Sequence, residues 1–243
     1  MRKKILMIGD TETLAGVSVD IADYYDFFTS PAGGHWCNDE IEILENPEKR
    51  QLFKTLAEVE EANYDYVITT FSGHGMEVSD DIVLLLNEDG ETIVLDDLTN
   101  LSDKQLIIAD CCRSSYTLQP VNLDSVITES TALSMSRDPV RQAYEERIEE
   151  CAPQEIILFA CAEGETAKDT VDENIRSYSQ HLLDATRMIL DEARSPFVRV
   201  SQSHARARGL IWKNPLLQQR PRIIQPNLPI HQRLPFAVNP EFF

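Results

Sequence analysis

A layered α/β fold with a parallel sheet is what this 243-residue chain predicts, on three observations. Short continuous apolar runs bounded by turn residues mark strands covered on both faces. Stretches with apolar residues at helical spacing lie between them. The two kinds of segment alternate, as right-handed crossovers in an α/β fold require. The length suits one large domain with a well-buried core, or two small ones.

The first run, KILMIG (4–9), follows a basic start but is apolar only from Ile5 to Ile8 before Gly9-Asp10, so it reads as a core strand and not a secretion signal. VSVDIADYYDFF (17–28) then places Val17, Ile21, Tyr24 and Phe28 on one helical face. PEKRQLFKTLAEVEEA (47–62) has Pro in its first turn and turns Leu52, Leu56 and Val59 inward. DYVITTFS (65–72), DIVLLLN (81–87), KQLIIAD (104–110) and EIILFACA (155–162) read as further strands of the same buried kind. SYSQHLLDATRMILDEA (177–193) is a helix with His181, Leu182, Ala185, Met188 and Ile189 on its stripe, and there His181 reads as a core histidine. Two regions break the alternation. Residues 116–153 hold no strong strand and include the polar SMSRDPVRQAYEERIEE, so they read as a loop-prone interruption that is functional or mobile. After 212, a Pro every few residues predicts loops and short edge strands at best.

Composition excludes several classes. With 41 acidic against 22 basic residues the formal charge is −19, which argues against nucleic acid or an anionic membrane as a partner. No apolar run reaches the roughly 18 residues of a membrane span. The charge is lopsided: from Arg194 onward there are eight Arg and Lys and one acid, Glu241, so this basic segment is expected to pack over acids of the same chain. The five cysteines include no C-x-x-C pair and cannot all pair within the chain, which predicts free thiols in the cytoplasm and no structural zinc.

In open α/β sheets, reactive groups gather just past the carboxyl ends of strands. VITTFSGHGM carries His74 between two glycines, and LIIADCCRSS carries Cys111 and Cys112. If the two strands are neighbours, a histidine and a cysteine emerge at one edge, as a general base and a nucleophile would. The glycines let a substrate backbone approach and leave a bare N–H facing a developing oxyanion. Alternation along the strand puts Asp110 and Cys112 on one side and Cys111 on the other. His35, Trp36 and Cys37, in SPAGGHWCNDE, read as incidental neighbours in a Gly-rich turn, and nothing promotes His204 or His231.

FSGHG followed by a strand and ADCCRSS resembles the caspase-like cysteine peptidases, most of all metacaspases and bacterial orthocaspases, whose boxes read F/Y-S-G-H-G and D-x-C-x-S-G. Animal caspases have Gln where Asp110 stands, in Q-A-C-R-G, though Arg113 follows the cysteine as theirs does. VLDDLTNL and PRIIQPNLPIHQRLPFAV are similar to further segments of the family, so the resemblance covers nearly the whole chain. Two departures stand out. The boxes lie 38 residues apart, fewer than the roughly 50 of caspases, and the cysteine box ends Ser114-Ser115 where a glycine is expected.

The resemblance implies a three-layer α/β/α sandwich around a mostly parallel sheet of about six strands. It implies one peptidase domain over 1–243: a large-subunit-like region (1–115), a mobile linker (116–153) and a small-subunit-like region (154–243). Cys112 becomes the nucleophile, His74 the base, and the N–H groups of Gly75 and Cys112 the oxyanion hole. Asp20, Ser72 and Asp110 become a pocket for Arg or Lys, because a carboxylate floor pairs with basic side chains and repels acidic ones. Self-cleavage in the linker is expected after Arg137 or Arg141, with Arg147 a further basic residue there. Asp96 and Asp97 are weak calcium candidates, with Asp80, Asp81 or Asp89 as further ligands, though such a pair is more often a helix cap and first-turn acid pair. The expected function is therefore a cysteine endopeptidase acting on protein substrates, without a required cofactor, in a bacterial cell-death or defence pathway. It is expected to be switched on by a partner protein or by encounter with its target, as a monomer or a sheet-edge dimer. The alternative is a catalytically silent caspase-like scaffold, and an unrelated flavodoxin-like domain is disfavoured by the lack of a Gly-rich phosphate loop.

Overall fold

A computed structural model describes residues 1–79, 81–114, 138–170, 175–192 and 195–243. In chain order its elements are β1 (Lys3–Gly9), α1 (Ala15–Thr29), β2 (Ile41–Glu45), α2 (Lys49–Ala62), β3 (Tyr66–Ser72), β4 (Gly75–Val78), β5 (Asp81–Leu85), β6 (Thr92–Val94), β7 (Lys104–Asp110), α3 (Pro139–Glu149), β8 (Gln154–Phe159), α4 (Tyr178–Glu192), β9 (Phe197–Arg199), α5 (Val200–Lys213), β10 (Arg222–Ile224) and β11 (Pro235–Val238). Six strands form the central sheet in the order β10-β8-β7-β3-β1-β2. All its pairings are parallel except β10 on β8.

Strand alternation divides the core in two. Ile5, Met7, Ile68, Leu106 and Ile108 face a cluster built with Val17, Tyr24 and Phe28 of α1, Tyr144 of α3, Leu182 of α4 and Ile211 of α5. Leu6, Ile8, Val67, Phe71 and Ile107 face the opposite cluster, with Leu52, Leu56 and Val59 of α2. Each strand is thus apolar on both faces, which is why its sequence reads as a continuous run. The result is the three-layer α/β/α sandwich.

Two elements depart from the sequence reading. DIVLLLN becomes β5, the middle strand of a separate antiparallel sheet β4-β5-β6, and not part of the parallel sheet. The connection from Val78 to Asp81, with Ser79 at φ 52°, is too short for a crossover and folds back as a hairpin. Its apolarity is explained by burial of Ile82 and Leu84 against the α2 side. Residues 116–153 are not loop throughout, because α3 occupies their final third. Asp138 caps it, accepting from Val140 N at 2.9 Å, Pro139 opens it, and Val140, Tyr144 and Ile148 are buried. Among the described residues, no helix is long and apolar enough to cross a membrane.

Candidate active site

β3 and β7 are neighbours, and Ser72 pairs with Asp110 in their register. His74 and Cys112 therefore each stand two residues beyond a paired rung, at the same edge of the sheet. Gly73 N donates to Asp110 O at 3.2 Å, which ties the histidine turn to the end of β7. Gly75 lies so close that an added Cβ would meet Cys111 Sγ and Cys112 O at 2.8 Å. Only glycine fits there, and the absence of a side chain sets the histidine loop against the Cys111–Cys112 peptide.

The two sulfurs separate as alternation dictates. Cys111 is buried in the core cluster on the α2 side, and burial holds its thiol well above the usual range. Cys112 is half-buried and lines a pocket of about 110 Å³ with His74, Asp20, Ser72 and Asp110. Its Sγ donates to Ala167 O at 3.6 Å. Burial raises the Cys112 thiol, the Ala167 contact opposes this, the charge of Asp110 raises it further and Lys168 draws it down.

Asp20, Ser72 and Asp110 come from three separate elements and converge. Asp20, on the buried face of α1, is 2% exposed. It accepts from Ser72 Oγ at 3.0 Å and from Ser177 Oγ at 2.5 Å. Asp110 is 6% exposed and accepts from Ser179 N at 2.7 Å, in the first turn of α4. That helix N-terminus favours the carboxylate, but burial prevails and pushes Asp110 up to about 6. Burial and the neighbouring Asp110 likewise raise Asp20 well above the carboxylate range, against the two serine hydroxyls. Among the described residues, no cation makes ion-pair contact with these acids, a costly arrangement that a basic ligand would relieve.

The loop after β8 contributes residues the sequence reading did not single out: Ala167, Lys168, Asp169 and Ser177 all line the pocket. Asp169 accepts from Gly16 N at 3.2 Å and from Thr170 N at 2.8 Å. Burial raises it, while those amides and the nearby His74 draw it down. A signal was available, since β8 lies beside β7 and whatever follows its carboxyl end must emerge at the same edge. Arg113, by contrast, faces away from the pocket. Its guanidinium lies 4.8 Å over the Phe159 ring and ion-pairs with Glu77 and Glu163 at 3.5 and 3.6 Å. Ser114, in place of the expected glycine, is buried and has no positive φ.

The remaining candidates lie elsewhere. Arg141 and Arg147 are in α3 and not in a loop. Arg141 is held by Glu40 at 2.6 Å and Glu145 at 2.9 Å, and Arg147 donates to Arg233 O at 3.0 Å. Arg137 and Asp80 lie outside the described residues. Asp96 and Asp97 open a 3-10 turn, where Asp97 accepts from Val94 N at 3.0 Å. Among the described residues, no three His, Cys, Asp or Glu gather in a group that could hold a metal ion. His35 meets Asp138, and His204 bonds Tyr178 Oη at 2.8 Å in the core.

Comparison with known proteins identifies the family and the fold. The sequence model of the caspase domain matches residues 2–228. No curated protein sequence matches. Among solved structures, the Drosophila initiator caspase Dronc is 12% identical with a TM-score of 0.59, covering 99% of this chain and 84% of its own. Caspase-1 from Spodoptera frugiperda is 14% identical with a TM-score of 0.56, covering 92% of this chain and 86% of its own.

Proposed function

This chain belongs to the caspase domain family, a family of cysteine peptidases, and from that premise we propose that it is an endopeptidase cutting protein substrates after Arg or Lys. The observation that carries the specificity is the convergence of Asp20, Ser72 and Asp110 beside Cys112 and His74 in one small pocket. In this reading the substrate's basic side chain enters between the two carboxylates and forms charge-assisted hydrogen bonds. An acidic side chain would meet the negative charge of Asp110 in a desolvated site and is excluded.

Binding and chemistry are coupled through Asp110. Its charge raises the Cys112 thiol, so a cation paired with Asp110 removes that opposition and eases loss of the thiol proton. His74 takes the proton, Cys112 Sγ attacks the scissile carbonyl, and the oxyanion faces the N–H groups of Gly75 and Cys112. His74 then protonates the leaving amine, and water releases the acyl group. Before attack, Cys112 must give up its contact with Ala167 O, so substrate displaces the 165–169 loop or threads beneath it. Self-cleavage in the linker falls after Arg137, because Arg141 would have to leave both α3 and its ion pairs before it could extend into a cleft. A catalytic thiol calls for surroundings in which cysteines stay reduced.

The test uses fluorogenic peptides ending in Arg, Lys or Asp, with wild type and Cys112→Ala, with and without calcium. Turnover of Arg and Lys peptides that vanishes in Cys112→Ala is expected, unchanged by calcium. Cleavage of the Asp peptide alone would overturn the pocket, and activity in Cys112→Ala would overturn the nucleophile.

A further inference from the structure

Away from the active site, a groove of about 590 Å³ runs between α5 and the segment leading into β10. Arg208, Lys213, Arg220 and Arg222 line it, beside Trp212, which is 75% exposed. The sequence reading expected these cations to neutralise acids of the same chain. Arg220 does so with Glu165, but Arg208, Lys213 and Arg222 form no ion pair among the described residues. In a chain with 41 acids, three such cations around an exposed indole are an unused recognition surface. Gly209 adds to this. It lies within α5 on the groove side, where glycine weakens a helix, yet an added Cβ would meet nothing within 4 Å. No packing within the described residues explains it, but a bare helix surface beside Trp212 lets a ligand backbone come close.

We propose that this groove is a docking site for an acidic segment of a partner protein, anchored by an apolar or aromatic side chain on Trp212. Charge sets the sign of the occupant, and the indole face supplies the apolar contact. β10 is the edge strand of the central sheet, and its Ile224 is exposed, so an extended peptide can lie along it. A long polyanion such as nucleic acid fits less well, because beyond the groove it meets a body of net charge −19. The groove is also wired to the catalytic loop. Gln219, on its wall, accepts from Lys168 N at 2.9 Å and donates to Ala160 O at 3.2 Å. Arg220 donates its N and Nε to Glu165, at 2.8 and 2.5 Å. A carboxylate in the groove competes with Glu165 for Arg220, at the base of the loop whose Ala167 holds Cys112.

The chain has two tryptophans, and Trp36 is 2% exposed, so fluorescence quenching by acrylamide reports chiefly on Trp212. The full chain is titrated with the peptide Ac-EDFEELDE-NH2, with a counterpart carrying Lys at every acidic position, and with a twelve-nucleotide oligothymidine. Expected is a saturable blue shift and protection of Trp212 with the acidic peptide alone, its midpoint raised more than tenfold in Arg208→Glu/Lys213→Glu. Gly209→Leu should fold with an unchanged circular dichroism spectrum and lose the shift. No shift with the acidic peptide, a shift that survives charge reversal, or an equal shift with the Lys peptide or oligothymidine would overturn the proposal. So would a dimer by light scattering in which Trp212 is already protected. The readout is independent of turnover, so failure here and failure of the peptidase reading are distinguishable.

Discussion

Asp110 is held by opposing forces: burial favours its neutral form, while Ser179 N and the start of α4 favour its charge. Its value near 6 lies above the unfolded range of about 4, so the folded state binds the proton more tightly. Stability therefore falls as pH rises from about 4 to about 6, and Asp110→Asn should melt higher than wild type at pH 7 but not at pH 3.5. On the proposed specificity, activity moves the other way, because only the carboxylate would pair with a basic substrate. The kcat/KM on an Arg peptide should climb with pH through about 6; a flat profile between pH 5 and 7 would remove Asp110 from the pocket. Asp110→Asn should lower that kcat/KM on the order of 10²- to 10³-fold, the effect of truncating one partner of a buried charge pair. Gly75→Ala tests the neighbouring backbone. Its methyl must displace the Cys111–Cys112 peptide, and a shift of about 1 Å at a nucleophile costs about 10²-fold in kcat while leaving substrate affinity nearly intact.

At the scale of elements, α3 decides where the linker can be cut. Its N-cap, its three buried side chains and the Arg141–Glu40–Glu145 ion pairs hold it against the sheet, so cleavage within it requires local unfolding. Mass spectrometry of active enzyme should find a fragment beginning at Asp138, and none beginning at Gln142. Glu40→Ala should loosen the helix and expose the second site; cleavage after Arg141 in the wild type would show that α3 does not protect it. The neighbouring elements explain what was legible beforehand. β3 and β7 each carry a run apolar on both faces and end in polar residues, so their class and the emergence of His74 and Cys112 could be read directly. β5 carries an equally apolar run, yet its place depended on a connection too short for a crossover. β2 (IEILE) is short and alternates with glutamates, and α5 (VSQSHARARGLIWK) intersperses its apolar residues with basic and small polar ones, so neither forms a continuous apolar run.

For the whole molecule, the net charge of −19 acts on encounter. A negative body attracts Arg- and Lys-bearing substrates over distances comparable with the Debye length, which shrinks from about 10 Å at 0.1 M salt to about 3 Å at 1 M. The kcat/KM on a basic peptide should therefore fall several-fold between 0.05 and 0.5 M NaCl, chiefly through KM. Salt independence would mean that the pocket acids alone supply the attraction. The cationic groove around Trp212 is an exception to this field, and acidic partners and basic substrates would approach different faces.

Residue order alone determined the layered fold, the emergence of His74 and Cys112 at strand ends and the side of the strand on which each sulfur lies, because these follow from local periodicity and from alternation along one strand. Only the tertiary structure decided that Ser72 of β3 and Ser177 before α4 meet at Asp20 of α1, beside Asp110, that Ala167 holds the thiol, and that three cations without an ion pair among the described residues surround Trp212. Those contacts join residues as far as 157 positions apart, and their distances are set by how helices and loops pack on the sheet, which no local pattern encodes.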